Sequence, residues 1–223
     1  MKAILLSFYL FFSLVSFGQD EYPTYKINGL TMYEIDTLMN GSIYHYNYAT
    51  LLERFDEGDY LDEKQLTVLY YGAALDMGYG PYKTMALENE VHVLNNINQY
   101  KQAIELSDTI LKTRPTSMMA LLERSFAMRK ERDTIGAKLA SFQIRSIKNT
   151  VLGSGDGKTP QTAYIVTSRK DIDIINAHNR YFVIKAKERQ IDKIYYSEYT
   201  INVKGGKRKV YYNVDLIWKY GLL

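Results

Sequence analysis

Cysteine is absent from this sequence, and histidine occurs only three times, at His45, His92 and His178. Without cysteine the chain can form neither disulfides nor thiolate metal sites, and a lipid-modified N-terminal cysteine is excluded. The histidines lie on separate predicted elements, and none stands four residues from another as a metal-binding helical pair would. A GxSxG motif and a conspicuous carboxylate pair are also missing. The sequence therefore predicts no enzyme, no metal and no cofactor.

Long hydrophobic runs are absent after the first 18 residues, so no later membrane-spanning segment is predicted. At the start, Lys2 precedes an apolar run over residues 3–17, and Ser16–Gly18 places small residues around a potential cleavage point. The run is shorter than the roughly 20 residues that span a bilayer, which argues against the alternative of a transmembrane anchor. The pattern predicts a signal peptide over residues 1–18, cleaved before Gln19, and hence a periplasmic or secreted protein.

Charge is distributed unevenly although the formal net charge is only +3. Residues 19–97 contain 13 acidic and 4 basic side chains, whereas residues 98–223 contain 12 acidic and 23 basic side chains. This asymmetry predicts either head-to-tail self-association or a basic face for anionic partners. For an exported protein, those partners would be lipid headgroups, acidic glycans or acidic proteins, and not nucleic acid. The alternative is that both charged faces only keep the protein soluble.

A block of sequence recurs 34 positions later, since Met85–Leu87 reappears as Met119–Leu121. Three further matches have the same spacing: Ala103 with Ala137, Ser107 with Ser141, and Ile110 with Ile144. A period of 34 residues is the length of a tetratricopeptide unit, which consists of two helices. The similarity is partial, because Asn149 stands where the second unit would have proline. The repeat predicts paired helices that cover one another's apolar sides.

Helix signals divide the mature chain before this repeat and within it. Residues 19–42 are predicted to be irregular, and helices are predicted at Tyr46–Phe55 and from Asp62, as N-cap, to Leu75. Pro115 is predicted to end a helix, because the residue before proline disfavours helical geometry. The next two N-caps are predicted to be Thr116 or Ser117 and Asp133 or Thr134. The predicted inward-facing residues are Met118, Leu121, Leu122, Met128, Ile135, Leu139 and Phe142.

The segment Gly153–Gly157 is a sharp change in composition and the predicted domain boundary. A strand at 163–166, a helix at 170–177 and a strand at 181–187 are predicted beyond it, with a hairpin at Gly205–Gly206. The predicted register places Ile201 opposite Val210 and Tyr199 opposite Tyr212, with Asn202, Lys204, Lys207 and Lys209 on the other face. The predicted class is therefore α+β, with a tetratricopeptide-like helical domain at 19–152 and a small α+β domain at 153–223.

Three segments carry a family resemblance: Leu69–Gly72, Tyr79–Tyr82 and Gly153–Pro160. Together they resemble a family of secreted proteins from Bacteroidota-type bacteria that is catalogued only as a domain of unknown function. The resemblance covers nearly the whole mature chain. It implies export and a layout of helices followed by strands. No activity is attached to that family, so the resemblance implies none for this chain.

Several sequence features invite a functional interpretation that their context opposes. Gly157–Thr159 lacks the first glycine of a phosphate-binding P-loop, because Leu152 occupies that position. A flexible linker is predicted there instead, or more weakly a backbone nest for an anion. Calcium at Asp156 is opposed by the lack of further acids nearby. The acidic run at 56–63 is interpreted as a capped turn, and Asp171 and Asp173 as solvated first-turn residues.

Tyrosine is abundant, with 21 residues in the chain. Its large contact area and polar hydroxyl suit recognition surfaces, although at least one of Tyr70 and Tyr71 is expected to be core. The predicted partner-binding residues are Tyr44, Tyr46, Tyr48, Tyr70, Tyr71, Tyr79, Tyr82, Lys204, Lys207 and Lys209.

Two functional hypotheses follow from the sequence. The first is a non-catalytic extracytoplasmic interaction or scaffold protein, which binds a protein or glycan in the cell envelope and contacts anionic surfaces. The alternative is an envelope hydrolase that acts on glycans or peptides through a carboxylate pair assembled across the two domains. A pocket holding two carboxylates within about 10 Å would favour the hydrolase.

Overall fold

The computed structural model describes residues 22–76 and 78–221 of the 223-residue chain. These residues form nine α-helices and one four-stranded sheet, which confirms the α+β class. The predicted signal peptide lies outside the described residues. None of the helices in the described ranges is both long and apolar enough to cross a membrane.

Helices fill the chain up to Gly153. They are α1 (Met32–Asn40), α2 (Tyr48–Glu57), α3 (Glu63–Gly72), α4 (Met85–Asn96), α5 (Tyr100–Thr113), α6 (Met118–Lys130) and α7 (Thr134–Gly153). One short 3-10 helix precedes α2 at Tyr44–Tyr46, and another extends α3 at Ala73–Leu75.

Helix α1 corrects the prediction that residues 19–42 are irregular. A capping box starts it: the Thr31 hydroxyl accepts from the Glu34 amide at 3.2 Å, and the Glu34 carboxylate accepts from the Thr31 amide at 2.7 Å. Three side chains at helical spacing are buried against the core, namely Met32, Ile35 and Met39. Both signals are local, so the sequence contained enough information to predict this helix.

The predicted N-caps of three later helices are confirmed. The Asp62 carboxylate accepts from the backbone of α3, the Ser117 hydroxyl from that of α6, and the Asp133 carboxylate from that of α7. Of the two alternatives at each later cap, the structure selects Ser117 over Thr116 and Asp133 over Thr134. Helix α5 ends at Thr113, two residues before Pro115 as predicted.

The inward faces of α6 and α7 are partly as predicted. Met118, Leu121 and Met128 are buried, and Leu139 and Phe142 are half-buried. Leu122 and Ile135 were predicted to face inward but are 37% and 82% exposed. On α6, Glu123 is buried and its neighbour Leu122 is exposed. The Asn95 amide donates to the Glu123 carboxylate at 2.7 Å, and this hydrogen bond offsets the cost of burying the carboxylate.

Helices α4 to α7 pack one after another, since α4 lies on α5, α5 on α6 and α6 on α7, while α4 also contacts α6. Ala103 and Ala137 are both buried, at 0% and 3% exposure. The Ser107 hydroxyl donates to the Ala103 carbonyl at 2.7 Å, and the Ser141 hydroxyl donates to the Ala137 carbonyl at the same distance. Thr109, Ser146 and Thr150 form the same bond to the carbonyl four residues earlier, so the bond does not by itself indicate a repeat.

Strands dominate the remaining chain, with one helix between the first two strands and one after the last. The elements are β1 (Tyr164–Ile165), α8 (Arg169–His178), β2 (Phe182–Ile191), β3 (Ile194–Val203), β4 (Gly206–Asn213) and α9 (Asp215–Tyr220). The sheet order is β1-β4-β3-β2, with β1 parallel to β4 and the other neighbours antiparallel. Strand β2 therefore lies at one edge of the sheet formed by the described residues.

The register of the β3–β4 hairpin differs from the prediction by two residues. Gly206 already pairs with Val203, so the connecting loop is Lys204–Gly205 and not Gly205–Gly206. The structure pairs Tyr199 with Val210, not Tyr212, and Ile201 with Arg208, not Val210. Because the shift is even, each residue keeps its predicted face.

The glycine-rich segment after α7 is fixed in place, which corrects its prediction as a flexible linker. The Asp156 and Gly157 amides both donate to the Thr162 carbonyl, at 2.9 and 2.7 Å, and the Tyr211 amide donates to the Gly157 carbonyl. A Cβ on Gly155 would lie 2.3 Å from the Thr162 carbonyl oxygen. Two amides of the suggested anion nest therefore already have an acceptor.

A single hydrophobic cluster contains residues from both the helices and the sheet. Three buried tyrosine hydroxyls of the helical part donate across this junction: Tyr71 to the Ile165 carbonyl, Tyr70 to Asp171 and Tyr79 to the Thr167 carbonyl. The end of α7 coincides with the predicted domain boundary, while the core is continuous across it. The division of the chain into two domains stays a prediction.

Candidate anion-binding face of the sheet

Strands β2, β3 and β4 have one face on α8 and one face toward solvent, because alternate residues of a strand point to opposite sides. On the inner face, the Tyr212 hydroxyl donates to Asn176 of α8 at 2.6 Å, and Arg169 of α8 lies 2.8 Å from Glu188. The outer face is named here the basic face. Its polar residues are Lys185, Lys187, Arg189, Glu198, Thr200, Asn202, Lys207 and Lys209.

Strand pairing places the basic side chains of this face in adjacent rows. Lys185 and Lys209 flank Thr200 in one row, while Lys187 lies opposite Glu198 in the next. Neighbouring strands are about 4.8 Å apart, and alternate residues along a strand are about 7 Å apart. Five cationic side chains thus share a small area with one carboxylate.

Glu198 lies beneath the cations and orders three of them. Its carboxylate is 3.2 Å from Lys187 Nζ, 2.7 Å from Arg189 Nε and 3.4 Å from Lys209 Nζ. Only 2% of the Glu198 side chain is exposed, because the three cationic side chains cover it. Burial alone would raise the pKa of the Glu198 carboxyl, but hydrogen bonds from Lys187 and Arg189 outweigh it and lower that pKa.

The basic face keeps an excess of positive charge after this pairing. Three cations share the single charge of Glu198, and their own side chains remain 40 to 52% exposed. Lys185 and Lys207 are exposed and form no ion pair with any described residue. Such an arrangement can hold an anionic group between partly ordered cations, with little side-chain entropy left to lose.

Of the predicted partner-binding lysines, the structure brings Lys207 and Lys209 together on the basic face, with Lys204 in the adjoining turn. All three are exposed. The predicted tyrosines lie elsewhere, on the helical part of the molecule.

The predicted tyrosines divide by burial. Tyr70 and Tyr71 are 0% exposed and Tyr79 is 7% exposed, so all three side chains are largely enclosed by the protein. Their hydroxyls are satisfied internally, which explains how polar tips are tolerated there. Tyr44 is 74% exposed. The half-buried ones are Tyr46, Tyr48 and Tyr82.

Four residues of the basic face were missed by the sequence interpretation: Lys185, Lys187, Arg189 and Glu198. The predicted strand stopped at Lys187, and the β2–β3 hairpin was not recognised. Its turn is Asp192–Lys193, where both residues have positive φ, 50° and 66°, without the glycine that normally signals such a turn. The alternating cations of β2 were the available signal.

A separate pocket of about 320 Å³ lies between α2, the end of α3 and the α5–α6 connection. Tyr48, Asp76, Tyr79 and Arg114 are among its lining residues. Asp76 is the one carboxylate among the described lining residues, so no carboxylate pair faces this pocket. The pocket therefore offers no arrangement for hydrolysis by two acids.

Two carboxylates near this pocket are buried behind it. Glu88 accepts from Arg114 at 3.2 Å and from Ser117 at 2.7 Å. Asp171, predicted to be a solvated residue, is 1% exposed and accepts from the Tyr70 hydroxyl at 2.6 Å. Burial raises the pKa of Asp171 to about 7, although Arg114 and the Tyr70 hydrogen bond act in the opposite direction.

Histidines and acids do not converge on a metal site in the part of the chain that the structure describes. His92 contacts Glu123 at 2.8 Å, and His178 lies 3.2 Å from Lys148 Nζ. Asp156 pairs with Lys158 at 2.8 Å and accepts from Thr162.

The sequence profile of one family matches residues 34–221, and its description is Domain of unknown function (DUF4919). No curated protein and no solved structure matches the chain. The matched region runs from within α1 to the end of α9, so it includes the helices and the basic face. Since the match extends over well more than half of the 223 residues, the chain belongs to the DUF4919 family, which has no assigned function.

Proposed function

We propose that this protein is a non-catalytic, extracytoplasmic interaction protein that binds an anionic partner on its basic face. The observation that carries the proposal is the group of five cations on one face of the sheet, three of which cover the carboxylate of Glu198. Charge of one sign on an ordered surface attracts anionic partners and speeds their association. The extracytoplasmic location is supported by the signal-peptide pattern of residues 1–18.

The helical part would act as a tetratricopeptide-like scaffold in this proposal. The successive packing of α4 to α7 and the burial of both Ala103 and Ala137 support that assignment. Exposed Tyr44 and half-buried Tyr46 stay candidates for additional contacts with a partner. Such contacts would add apolar area to an interaction that begins with charge.

Hydrolysis by a carboxylate pair has less support. Asp56 and Asp108 both line a depression beside α2 and α5, but Asp108 is paired there with Arg124 at 2.6 Å. Glu88 and Asp171 are both about 1% exposed, and each is held by hydrogen bonds to core side chains. A general acid or nucleophile has to reach the substrate, and neither carboxylate lines the pocket.

The test replaces Lys204, Lys207 and Lys209 with serine and measures retention on immobilised dextran sulfate over a salt gradient. We expect the triple variant to elute at clearly lower salt than the wild type, because fewer cations contact the polyanion. The matched control replaces Lys83, Lys101 and Lys138 with serine. These lysines are exposed on the helical part, and their replacement removes the same charge. Equal elution of the two variants would show that only net charge matters and would refute a defined basic face.

A further inference from the structure

Three consecutive apolar residues at the start of β2 are exposed. Phe182 is 80% exposed, Val183 44% and Ile184 50%. Single exposed apolar residues are common, but three in succession on a soluble surface are unusual unless they serve a function. The structure buries comparable side chains elsewhere in the sheet, such as Ile201 and Val210, so apolar residues of these strands can be covered.

Phe182 extends the rows of the basic face. It lies opposite Asn202, which in turn lies opposite Lys207. The next row contains Lys185 and Lys209. A large aromatic side chain therefore stands on the same face as the cations, at the end of the sheet where the β3–β4 turn lies.

A β-bulge determines the orientation of Ile184, the third of these apolar residues. The pairing of β2 with β3 shifts between Val183 and Lys185, and Ile184 has no partner on β3. A bulge of this kind bends the strand and redirects the extra side chain. Phe182 and Ile184 therefore sit at a distorted, exposed corner of the sheet and not in its regular part.

Positively charged side chains lie beside this corner, near the β3–β4 turn. A shallow depression beside Phe182 is lined by Arg180, Lys204 and Arg208, and no carboxylate is among its described lining residues. Lys185 follows the bulge directly. The corner thus combines exposed apolar tips with a rim of positive charge.

We propose that this corner docks on an anionic lipid bilayer, with Phe182 and Ile184 entering the interfacial region and the surrounding cations contacting lipid phosphates. This inference rests on the proposed function and names its partner. Apolar insertion together with a basic cluster is the combination that holds peripheral proteins on anionic membranes. A soluble acidic glycan would use the cations but would leave both apolar side chains in water.

An extended peptide added along β2 is the competing occupant, and the strand is poorly suited to it. The bulge interrupts the ladder of backbone groups, and Lys185 and Lys187 place charge along the edge. Both features are devices by which natural sheets resist further strand pairing. A bilayer requires no regular ladder, so it fits this edge better.

The experiment measures co-sedimentation with vesicles of phosphatidylcholine containing about a third of phosphatidylglycerol, and with vesicles of phosphatidylcholine alone. We expect wild-type protein to bind the anionic vesicles, and the variant F182S/I184S to bind them at least about fivefold more weakly at unchanged net charge. The variant K185S/K204S/K207S should lose binding most strongly. The control I97S/I135S removes two exposed apolar side chains of the helical part and should bind as the wild type does.

A spectroscopic measurement separates insertion from attraction by charge alone. The chain has no cysteine, so Ile184→Cys provides one site for an environment-sensitive fluorophore, and Ile97→Cys provides the control. Emission from position 184 should shift to the blue on anionic vesicles, while emission from position 97 should not. Thermal unfolding, monitored by circular dichroism, checks that the variants fold.

The outcomes distinguish this inference from the proposed function. Binding that depends on the lysines but not on Phe182 and Ile184, with no shift at position 184, would overturn membrane docking and leave the basic face intact. Retention on dextran sulfate without vesicle binding would point to a soluble polyanion and would also overturn it. Failure to bind either dextran sulfate or vesicles would refute both proposals.

Discussion

Individual polar side chains in the core form hydrogen bonds that hold distant parts of the chain in place. Tyr70 illustrates this, because its hydroxyl donates to the Asp171 carboxylate and accepts from the Thr167 amide at 3.1 Å. The burial of Asp171 did not follow from its own position in the sequence, since periodicity gives a face but not what covers it. Residue roles of this kind depend on contacts about 100 positions away.

The raised pKa of Asp171 predicts a specific pH dependence of stability. The folded pKa of about 7 exceeds the ordinary value of 3.8, so this group favours folding below about pH 4 and loses that contribution as pH rises through 7. Asp171→Asn should remove this loss. The difference in unfolding free energy, variant minus wild type, should therefore increase by on the order of a few kcal/mol between pH 4 and pH 7.

Urea unfolding at a series of pH values measures this difference. Glu90→Gln, which changes an exposed carboxyl of α4, is the control and should give a profile parallel to that of the wild type. A parallel profile for Asp171→Asn as well would contradict the assignment.

Elements were predictable where their determinants are local. Asp62, Ser117 and Asp133 satisfy amide groups within three residues of themselves, so sequence spacing sufficed to identify them as caps. The hairpin register was harder, because either of two adjacent glycine-containing turns fits the alternation of side chains. The glycine-rich segment after α7 was misjudged for a related reason: composition suggests freedom, but a close backbone approach also requires glycine.

Gly155→Ala tests that close approach. A Cβ would lie 2.3 Å from the Thr162 carbonyl oxygen and 2.6 Å from that of Ala163, and backbone atoms cannot move aside easily. We expect a loss of about 1–3 kcal/mol or more in unfolding free energy. Gly153→Ala is the matched control, because its nearest contact would be Asn28 Oδ1 at 3.4 Å. Equal stability of the two variants would contradict the packing described for this segment.

At the scale of the whole molecule, helices α1, α2, α3, α6 and α7 share one core with the sheet, while buried residues of α4, α5 and α6 form a second, smaller cluster. The sequence predicted the order of helices before strands and the concentration of positive charge in the second half. It did not predict that this charge converges on one face, because convergence depends on the pairing of β2 with β3. The family relationship adds no activity, so functional assignment depends on the geometry of surfaces.

The shared core predicts cooperative unfolding. Trp218, the single tryptophan, stacks on Tyr195 at a centroid distance of 5.1 Å and reports on the sheet side, whereas circular dichroism reports mainly on the helices. The two urea transitions should coincide. Tyr71→Phe removes the 3.0 Å bond to the Ile165 carbonyl and should shift both transitions together by about 1 kcal/mol. A fluorescence transition that clearly precedes the helical one would instead indicate separable domains.

The outer edge of strand β2 is ten residues long, and the β-bulge interrupts it between Val183 and Lys185. Molecules crowded side by side would meet along this edge without being able to copy its hydrogen-bond pattern from one chain to the next. Local accumulation of the protein should therefore produce a dense layer of individual molecules, because fibre growth by strand stacking has no continuous template.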